Sequence, residues 1–326
     1  MESNNIFGAL GSVFSGLNIS EEEKNEIMRE LLKFKEQKVN IMITGATGCG
    51  KSSTINAMFQ KTLAKVGVSP KPETLDIARY DYGDNLILWD PPGLGDTPEK
   101  DKMYKENMVR KLKERDNNGN LLIDLVLVIL DGSSPKNLST AYTIIDEIVP
   151  YLGKEKNDRE KRLLIAINKA DMAKSGHKWN RELNEPDEVL KKYLDELAES
   201  VKQRMKSVGV DIVQPVYYSA GYMDDDGKQD RPYNLSKLLN FILRYTPQEK
   251  RIAVVEKVNV ENIRQGTNDY DDDVDWNKEN NTMLGDAIEY VGNGIADVCE
   301  TFSKPLAKAV RVCTKVVRKA FDFFFG

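Results

Sequence analysis

The chain has 326 residues, 40% hydrophobic and 30% charged, with a formal net charge of −5. That balance fits a globular protein with a highly charged surface and excludes a global basic signal for nucleic acid. There is no apolar run of about 18 residues for a membrane-crossing helix, and a single histidine, His177, argues against histidine acid–base or zinc chemistry.

The first 18 residues mix small apolar residues with glycine (Ile6 to Phe14) and read as a short amphipathic segment or a frayed tail. Ser20 with Glu23 forms a capping box for a helix to about Gln37, with Ile27, Leu31 and Phe34 on one face. From Lys38 strands and helices alternate. Val39–Thr44 reads as a buried strand, and a glycine loop and a helix from Ser52 to Gln60 follow. Leu75–Tyr80 and Asn85–Asp90 read as strands, Glu99–Glu114 as a helix. Leu121–Leu130 is nearly all apolar, the mark of a strand buried on both faces of a mostly parallel sheet. A helix over 138–151, a strand over 161–168, a helix over 186–206, a strand over 213–219 and a helix over 235–243 complete the pattern. This alternation predicts a three-layer α/β domain over 38–246, preceded by an N-terminal segment and helix (1–37). A helical extension follows over 247–326. In it, 247–265 reads as one more helix and 268–281 as an acidic, solvated linker. From Met283 to Phe325 an apolar seam steps by three or four, with a kink expected near Pro305.

Within this frame Gly45-Ala-Thr-Gly-Cys-Gly-Lys51-Ser52 matches the phosphate-binding P-loop, and strand, glycine loop and helix follow in the required order. Gly45, Thr47, Gly48, Cys49 and Gly50 would bring backbone N–H groups onto phosphates, with Ser52 and Ser53 opening the helix. Lys51 would reach the β- and γ-phosphates, and the Ser52 hydroxyl would ligate Mg²⁺. Asp90-Pro-Pro-Gly93 ends a strand about forty residues later. There Asp90 would hold Mg²⁺ through water, and the Gly93 N–H would sense the γ-phosphate. A threonine from the intervening stretch must complete the Mg²⁺ shell; Thr74 is preferred to Thr62. Asn168-Lys-Ala-Asp171 follows a buried strand and selects the base. The Asp171 carboxylate can accept from guanine N1–H and N2–H₂ together, Lys169 would cover the base plane, and Asn168 would bond across the pocket. Ser219-Ala-Gly221 follows the last strand, where the Ala220 N–H would meet guanine O6.

These motifs resemble the signature of translation-factor-like P-loop GTPases of the Era/TrmE/septin-like branch. The resemblance extends to Era-like GTPases often encoded in bacterial prophages (the YfjP/YeeP type) and covers about 38–246. It implies a Mg²⁺-dependent switch that binds GTP or GDP and hydrolyses GTP, with Lys51, Thr74 and Gly93 at the chemistry and Ser52, Thr74 and Asp90 at the metal. It also implies ribosome or RNA association as an alternative. Many such enzymes place glutamine directly after Asp-x-x-Gly to orient water; here Leu94 stands there. Water must then be positioned by a backbone carbonyl, a partner, or a second protomer across the nucleotide face, and slow intrinsic hydrolysis is expected. Gly48 replaces the asparagine that recruits K⁺ in some relatives.

Cys49, Cys299 and Cys313 have no metal-ligand spacing and suit a reducing compartment. With no basic leader at the N-terminus, a cytoplasmic location is expected. Cys49 lies at a helix N-terminus, where a thiol pKa tends to fall, although a small residue that fits the loop is the simpler reading. The C-terminal arm carries Lys304, Lys308, Arg311, Lys315, Arg318 and Lys319 and ends in Phe321-Asp-Phe-Phe-Phe-Gly. Packing on its own chain or in an oligomer is the preferred reading. The alternative is a membrane-associated, dynamin-like or immunity-related type of GTPase whose arm lies on an anionic bilayer.

Overall fold

The computed structural model describes residues 5–59, 77–92, 97–133, 138–221, 231–265, 270–271 and 274–325. It opens with α1 (Ile6–Ser15), whose Ile6, Phe7, Leu10 and Phe14 are buried, so this segment is a packed helix. α2 (Glu21–Lys35) carries the expected box: Ser20 caps the Glu23 N–H while the Glu23 side chain returns to Ser20. Three glutamates in its first turn and Lys33 and Lys35 in its last also complement the helix dipole.

The alternating region then builds β1 (Val39–Gly45), α3 (Lys51–Met58), β2 (Ala78–Tyr82), β3 (Leu86–Asp90), α4 (Pro98–Lys113), β4 (Leu125–Asp131), α5 (Leu138–Ile148), the short α6 (Lys156–Glu160) and β5 (Leu163–Asn168). A small hairpin, β6 (Trp179–Asn180) with β7 (Glu185–Pro186), precedes α7 (Glu188–Ser207), β8 (Val216–Tyr217) and α8 (Leu235–Tyr245). The six-stranded sheet runs β2-β3-β1-β4-β5-β8, and only the β2–β3 pair is antiparallel. The last strand is shorter than the 213–219 span its apolar residues suggest. It pairs with β5 alone, and Pro215 just before it has no N–H to extend a ladder.

The period-two geometry of strands divides the core into two layers. In β4, Leu125, Leu127 and Ile129 face one cluster, while Val126, Val128 and Leu130 face the other. The second cluster is closed by α4, α5 and α7 through residues such as Met108, Ile144 and Leu194. The first is closed by α3 and α8 together with both ends of the chain.

Those ends differ in detail from the sequence pattern. Residues 247–265 form not one helix but a 3₁₀ turn, α9 (Arg251–Val255) and α10 (Val260–Gln265), interrupted where Val258 bridges to Phe59. A two-residue pair, β9 (Tyr270–Asp271) with β10 (Val274–Asp275), leads into α11 (Trp276–Glu300). Residues 276–281 are therefore helix, not linker. The Asp275 side chain caps the Lys278 N–H, Trp276 packs against Phe241 in a tilted pair with ring centres 5.9 Å apart, and Asn280 is fully buried. The apolar seam is also not one kinked helix. It breaks at Thr301–Ser303, Ser303 caps a new helix, α12 (Lys304–Ala320), and Pro305 sits in its first turn, where its missing N–H is harmless. α12 packs against α11 and α1, and α11 against α2, α8 and α9. Leu284, Ile288, Val291, Ile295, Leu306, Val310 and Val317 are thus buried within the chain. Of the terminal aromatics, Phe324 and Phe325 are buried as well. Arg264 donates to the carbonyls of Phe323 and Phe324, and the Phe325 N–H donates to Asn281 Oδ1 at 3.0 Å.

Candidate functional site

Four strands deliver their C-terminal ends to one edge of the sheet: β1 ends at Gly45, β3 at Asp90, β4 at Asp131 and β5 at Asn168. In open α/β sheets ligands bind at this edge. Between β1 and α3, Thr47 and Gly48 are exposed, as are Ser52 and Ser53 on the first turn of α3. Gly50, the residue before α3, has φ +95°, and a Cβ there would run into the Asn168 side-chain amide. The position therefore requires glycine twice over, for its backbone angle and for space. Lys51 Nζ lies 3.4 Å from the Gly45 carbonyl, folded back over the loop.

Asn168 is buried and bonds in two directions. Its Nδ2 donates to the Cys49 carbonyl at 3.0 Å, and its Oδ1 accepts from the Ala220 N–H at 3.1 Å. One side chain thus joins the P-loop, the end of β5 and the Ser219-Ala-Gly221 loop. A second tie runs beneath it. Thr54 Oγ1 lies 2.8 Å from the Gly50 carbonyl and 2.7 Å from the Tyr218 hydroxyl, and burial lifts the Tyr218 pKa far above the usual tyrosine range.

Lys169 adopts φ +62° and places its ammonium 2.8 Å from Asp131 Oδ2. The other oxygen of Asp131 accepts from the Ser133 N–H at 3.0 Å and from its hydroxyl at 2.5 Å. Burial works against the Asp131 charge, but the bonds from Lys169 and Ser133 outweigh it and hold the carboxyl below its ordinary value. The Asp171 carboxylate, two residues on, makes no hydrogen bond or ion pair among the described residues.

Asp90 Oδ1 is buried with no hydrogen-bond partner among the described residues. Burial lifts this carboxyl to about 6, against the opposing pull of Lys51. An orphaned hard oxygen here, with the Ser52 hydroxyl exposed on α3, is a donor set that suits Mg²⁺. Thr74, Gly93 and Leu94 lie outside the described residues.

Cys49 corrects the expectation of a lowered thiol pKa. Its side chain is fully buried, and burial raises the pKa despite the nearby Lys51. The thiol fills space under the loop.

Sequence reasoning passed over three features of this site. Asp131 is a strand-end acid without a motif, and its one signal is the Gly132-Ser133 turn that follows. Tyr218 is concealed as one more apolar strand residue. The third is the cap on the far end of α3. The Asn259 N–H donates to the Met58 carbonyl at 2.8 Å, and Asn262 Nδ2 donates to the Ala57 carbonyl at 3.0 Å.

A wide cleft at the opposite ends of the strands is lined in part by Asn40, Trp89, Lys111, Asp124 and Lys250. Its central polar groups satisfy one another. Trp89 Nε1 donates to Asn40 Oδ1 at 3.0 Å, the Asn40 N–H to Asp124 Oδ2 at 2.9 Å, and Lys250 to Asp124 Oδ1 at 2.7 Å. This network ties the start of the C-terminal extension to the sheet.

A parallel sheet with a glycine loop opening α3, an acid closing β3 and Asn-Lys-x-Asp closing β5 defines a P-loop GTPase. Residues 40–169 match the family model described as 50S ribosome-binding GTPase. Over 141 residues the chain is 28% identical to the mitochondrial 5-taurinomethyluridine-[tRNA] synthase subunit GTPB3 of Mus musculus, a stretch covering 41% of this chain and 26% of that protein. Over 78 residues it is 35% identical to Dynamin-like protein 1 of Campylobacter jejuni, covering 23% of this chain and 10% of that protein. The matches thus span about a quarter or less of these relatives. Among solved structures, a probable GTP-binding protein engB is similar at 21% identity and a TM-score of 0.40, with 64% of this chain and 98% of that one covered. Era in complex with MgGDPNP and a 16S ribosomal RNA segment is similar at 20% identity and a TM-score of 0.39, with 65% and 58% covered.

Proposed function

We propose that the chain is a Mg²⁺-dependent guanine-nucleotide switch whose nucleotide state is felt by the helical extension over 247–326. The observation that carries this reading is the cap on α3. The last carbonyls of a helix have no partners within it. In the helix that begins with the phosphate-binding Lys51, two of them are met by Asn259 and Asn262 of the extension. In the sequence the chain runs on from this end of the helix into the stretch containing Thr74, so these two contacts are the route by which loss of the γ-phosphate would reach the extension.

In this reading the P-loop N–H groups and Lys51 hold the phosphates. Ser52, Asp90 and Thr74 would hold Mg²⁺, which neutralises charge on the phosphate oxygens. Asp171 accepts two N–H bonds from guanine while Asp131 fixes the Lys169 head beside the base pocket. The Ala220 N–H, expected to meet guanine O6, donates instead to Asn168 Oδ1, so recognition of O6 by this group would require it to leave or share that bond. Leu94 leaves water positioning to the backbone or to a partner, so slow intrinsic turnover follows.

The test is nucleotide binding and GTP turnover for the full chain. Lys51→Ala is expected to remove turnover. Asp171→Asn should exchange guanine for xanthine preference, because a carboxamide can donate to the C2 carbonyl of xanthine. Unchanged turnover in Lys51→Ala, or unchanged base preference in Asp171→Asn, would sink the assignment. The family description supports ribosome association as a second reading. GTP-dependent cosedimentation with a ribosomal subunit would favour it.

A further inference from the structure

The six basic residues of the C-terminal arm divide into two sets. Arg311 pairs with Asp297 at 2.7 Å and Glu300 at 2.9 Å, and Arg318 pairs with Glu289 at 2.7 Å, all on α11. Lys304, Lys308, Lys315 and Lys319 are exposed and make no ion pair among the described residues. Their spacing aligns them along the outer side of α12. Beside that line runs a second, apolar one. Val312 is 55% exposed and Val316 56%, with Phe302 at 50% and Phe323 at 81% beyond the two ends of the helix. This stripe is distinct from the buried seam, whose residues pack on α11 and α1.

We propose that this outer face of α12 docks on an anionic phospholipid surface. The chain carries a net charge of −5, so four unpaired lysines in one line do not reflect its general composition. Lysines alone would serve an RNA backbone or an acidic protein, and neither explains two valines and two phenylalanines held in water beside them. A bilayer interface uses both stripes. The lysine stems lie along apolar surface and reach phosphate headgroups, while the valines and Phe323 enter the acyl boundary. α12 lies flat on the body of the protein and presents this face without rearrangement. No helix among the described residues is long and apolar enough to cross a membrane, so contact is interfacial. The proposal does not depend on the nucleotide reading.

The experiment is cosedimentation of the full chain with phosphatidylcholine vesicles, with and without phosphatidylglycerol. Two variants are compared, Val312→Ser/Val316→Ser and Lys308→Gln/Lys315→Gln/Lys319→Gln. All five positions are on the outer side of α12, and circular dichroism checks that both variants fold. Binding is expected only to the anionic vesicles, falling about tenfold or more in each variant. In a Phe323→Trp chain the emission of the new indole should shift to the blue on those vesicles. The proposal is overturned by absence of binding, or by binding that the serine pair leaves unchanged. It is also overturned if the Phe323→Trp emission stays unshifted on bound protein. Retention by single-stranded RNA in place of vesicles would make the face a nucleic-acid site. A dimer in sedimentation that the serine pair dissolves would make it a self-association surface. Either result also overturns the proposal.

Discussion

The Lys169 ammonium sits 2.8 Å from the Asp131 carboxylate, across the ends of two paired strands in which Asp131 is the register partner of Asn168. The segment proposed to select the base is therefore braced from the neighbouring strand. Asp131→Asn would keep the Ser133 contacts but remove the charge that holds Lys169. Losing a charge-assisted bond of this kind costs roughly 1.5–3 kcal/mol. Part of that would appear as guanine-nucleotide affinity, with an expected loss of about tenfold in a fluorescent-GDP titration. An unchanged affinity would show that Lys169 holds its place without Asp131.

Asp90 yields a pH dependence with a definite sign. Its carboxyl is raised by burial from an ordinary 3.8 to about 6, with Lys51 pulling the other way. The nucleotide-free fold therefore keeps a proton that the unfolded chain releases between those values. The stability linked to that proton is fully present below the ordinary value and is lost as pH rises through the raised one. Its upper bound is roughly 3 kcal/mol. Asp90→Asn is thus expected to raise the Tm of the nucleotide-free protein at neutral pH while abolishing the Mg²⁺ dependence of GTP binding. In the native chain the enhancement of GTP binding by Mg²⁺ should fade as pH drops through about 6. A pH-independent enhancement would mean that Asp90 does not stand by the ion.

How much of this was legible in the sequence depended on whether a signal was local. The nearly all-apolar run Leu121–Leu130 and the Ser20–Glu23 box are each written within one element; the structure realises the box, and it realises the strand from Leu125 to Asp131, four residues later than the run begins. The P-loop and Asn168-Lys-Ala-Asp171 stand out in the sequence because each is a short motif of fixed spacing, and the structure brings both to the same edge of the sheet. Asn259 and Asn262 were not, since a polar residue that caps a helix 205 positions earlier leaves no periodic trace. The helix start at Trp276 was masked by the acidic residues around it, although Asp275 is itself a good N-cap. Ser303 followed by Lys304-Pro305 is a helix-start signal that the uninterrupted seam concealed.

Asn262 offers a direct test of the link between extension and P-loop helix. Asn262→Ala removes the donor to the Ala57 carbonyl and leaves the Asn259 bond in place. A lost helix-end bond of this type is worth about 1 kcal/mol. The expected result is a small fall in Tm together with faster nucleotide release, read by stopped-flow displacement of a fluorescent GDP. Lower stability with unaltered release would confine the contact to a structural role.

The closeness of α11 to α12 can be tested at Gly292, where a Cβ would land on the Thr314 side chain, 2.7 Å from its own Cβ. Replacing a mid-helix glycine by alanine ordinarily stabilises by about 0.8–1 kcal/mol through helix propensity. Here the added methyl must force the two helices apart, and overpacking of this kind typically costs about 1–3 kcal/mol. The steric term is therefore expected to win, so that Gly292→Ala lowers Tm. Adding Thr314→Ala removes two of the three clashing atoms and should restore part of the loss. Nucleotide affinity should be unaffected in both chains, because neither residue belongs to the P-loop edge of the sheet. A rise in Tm for Gly292→Ala alone would show that the helix pair is looser than this packing requires.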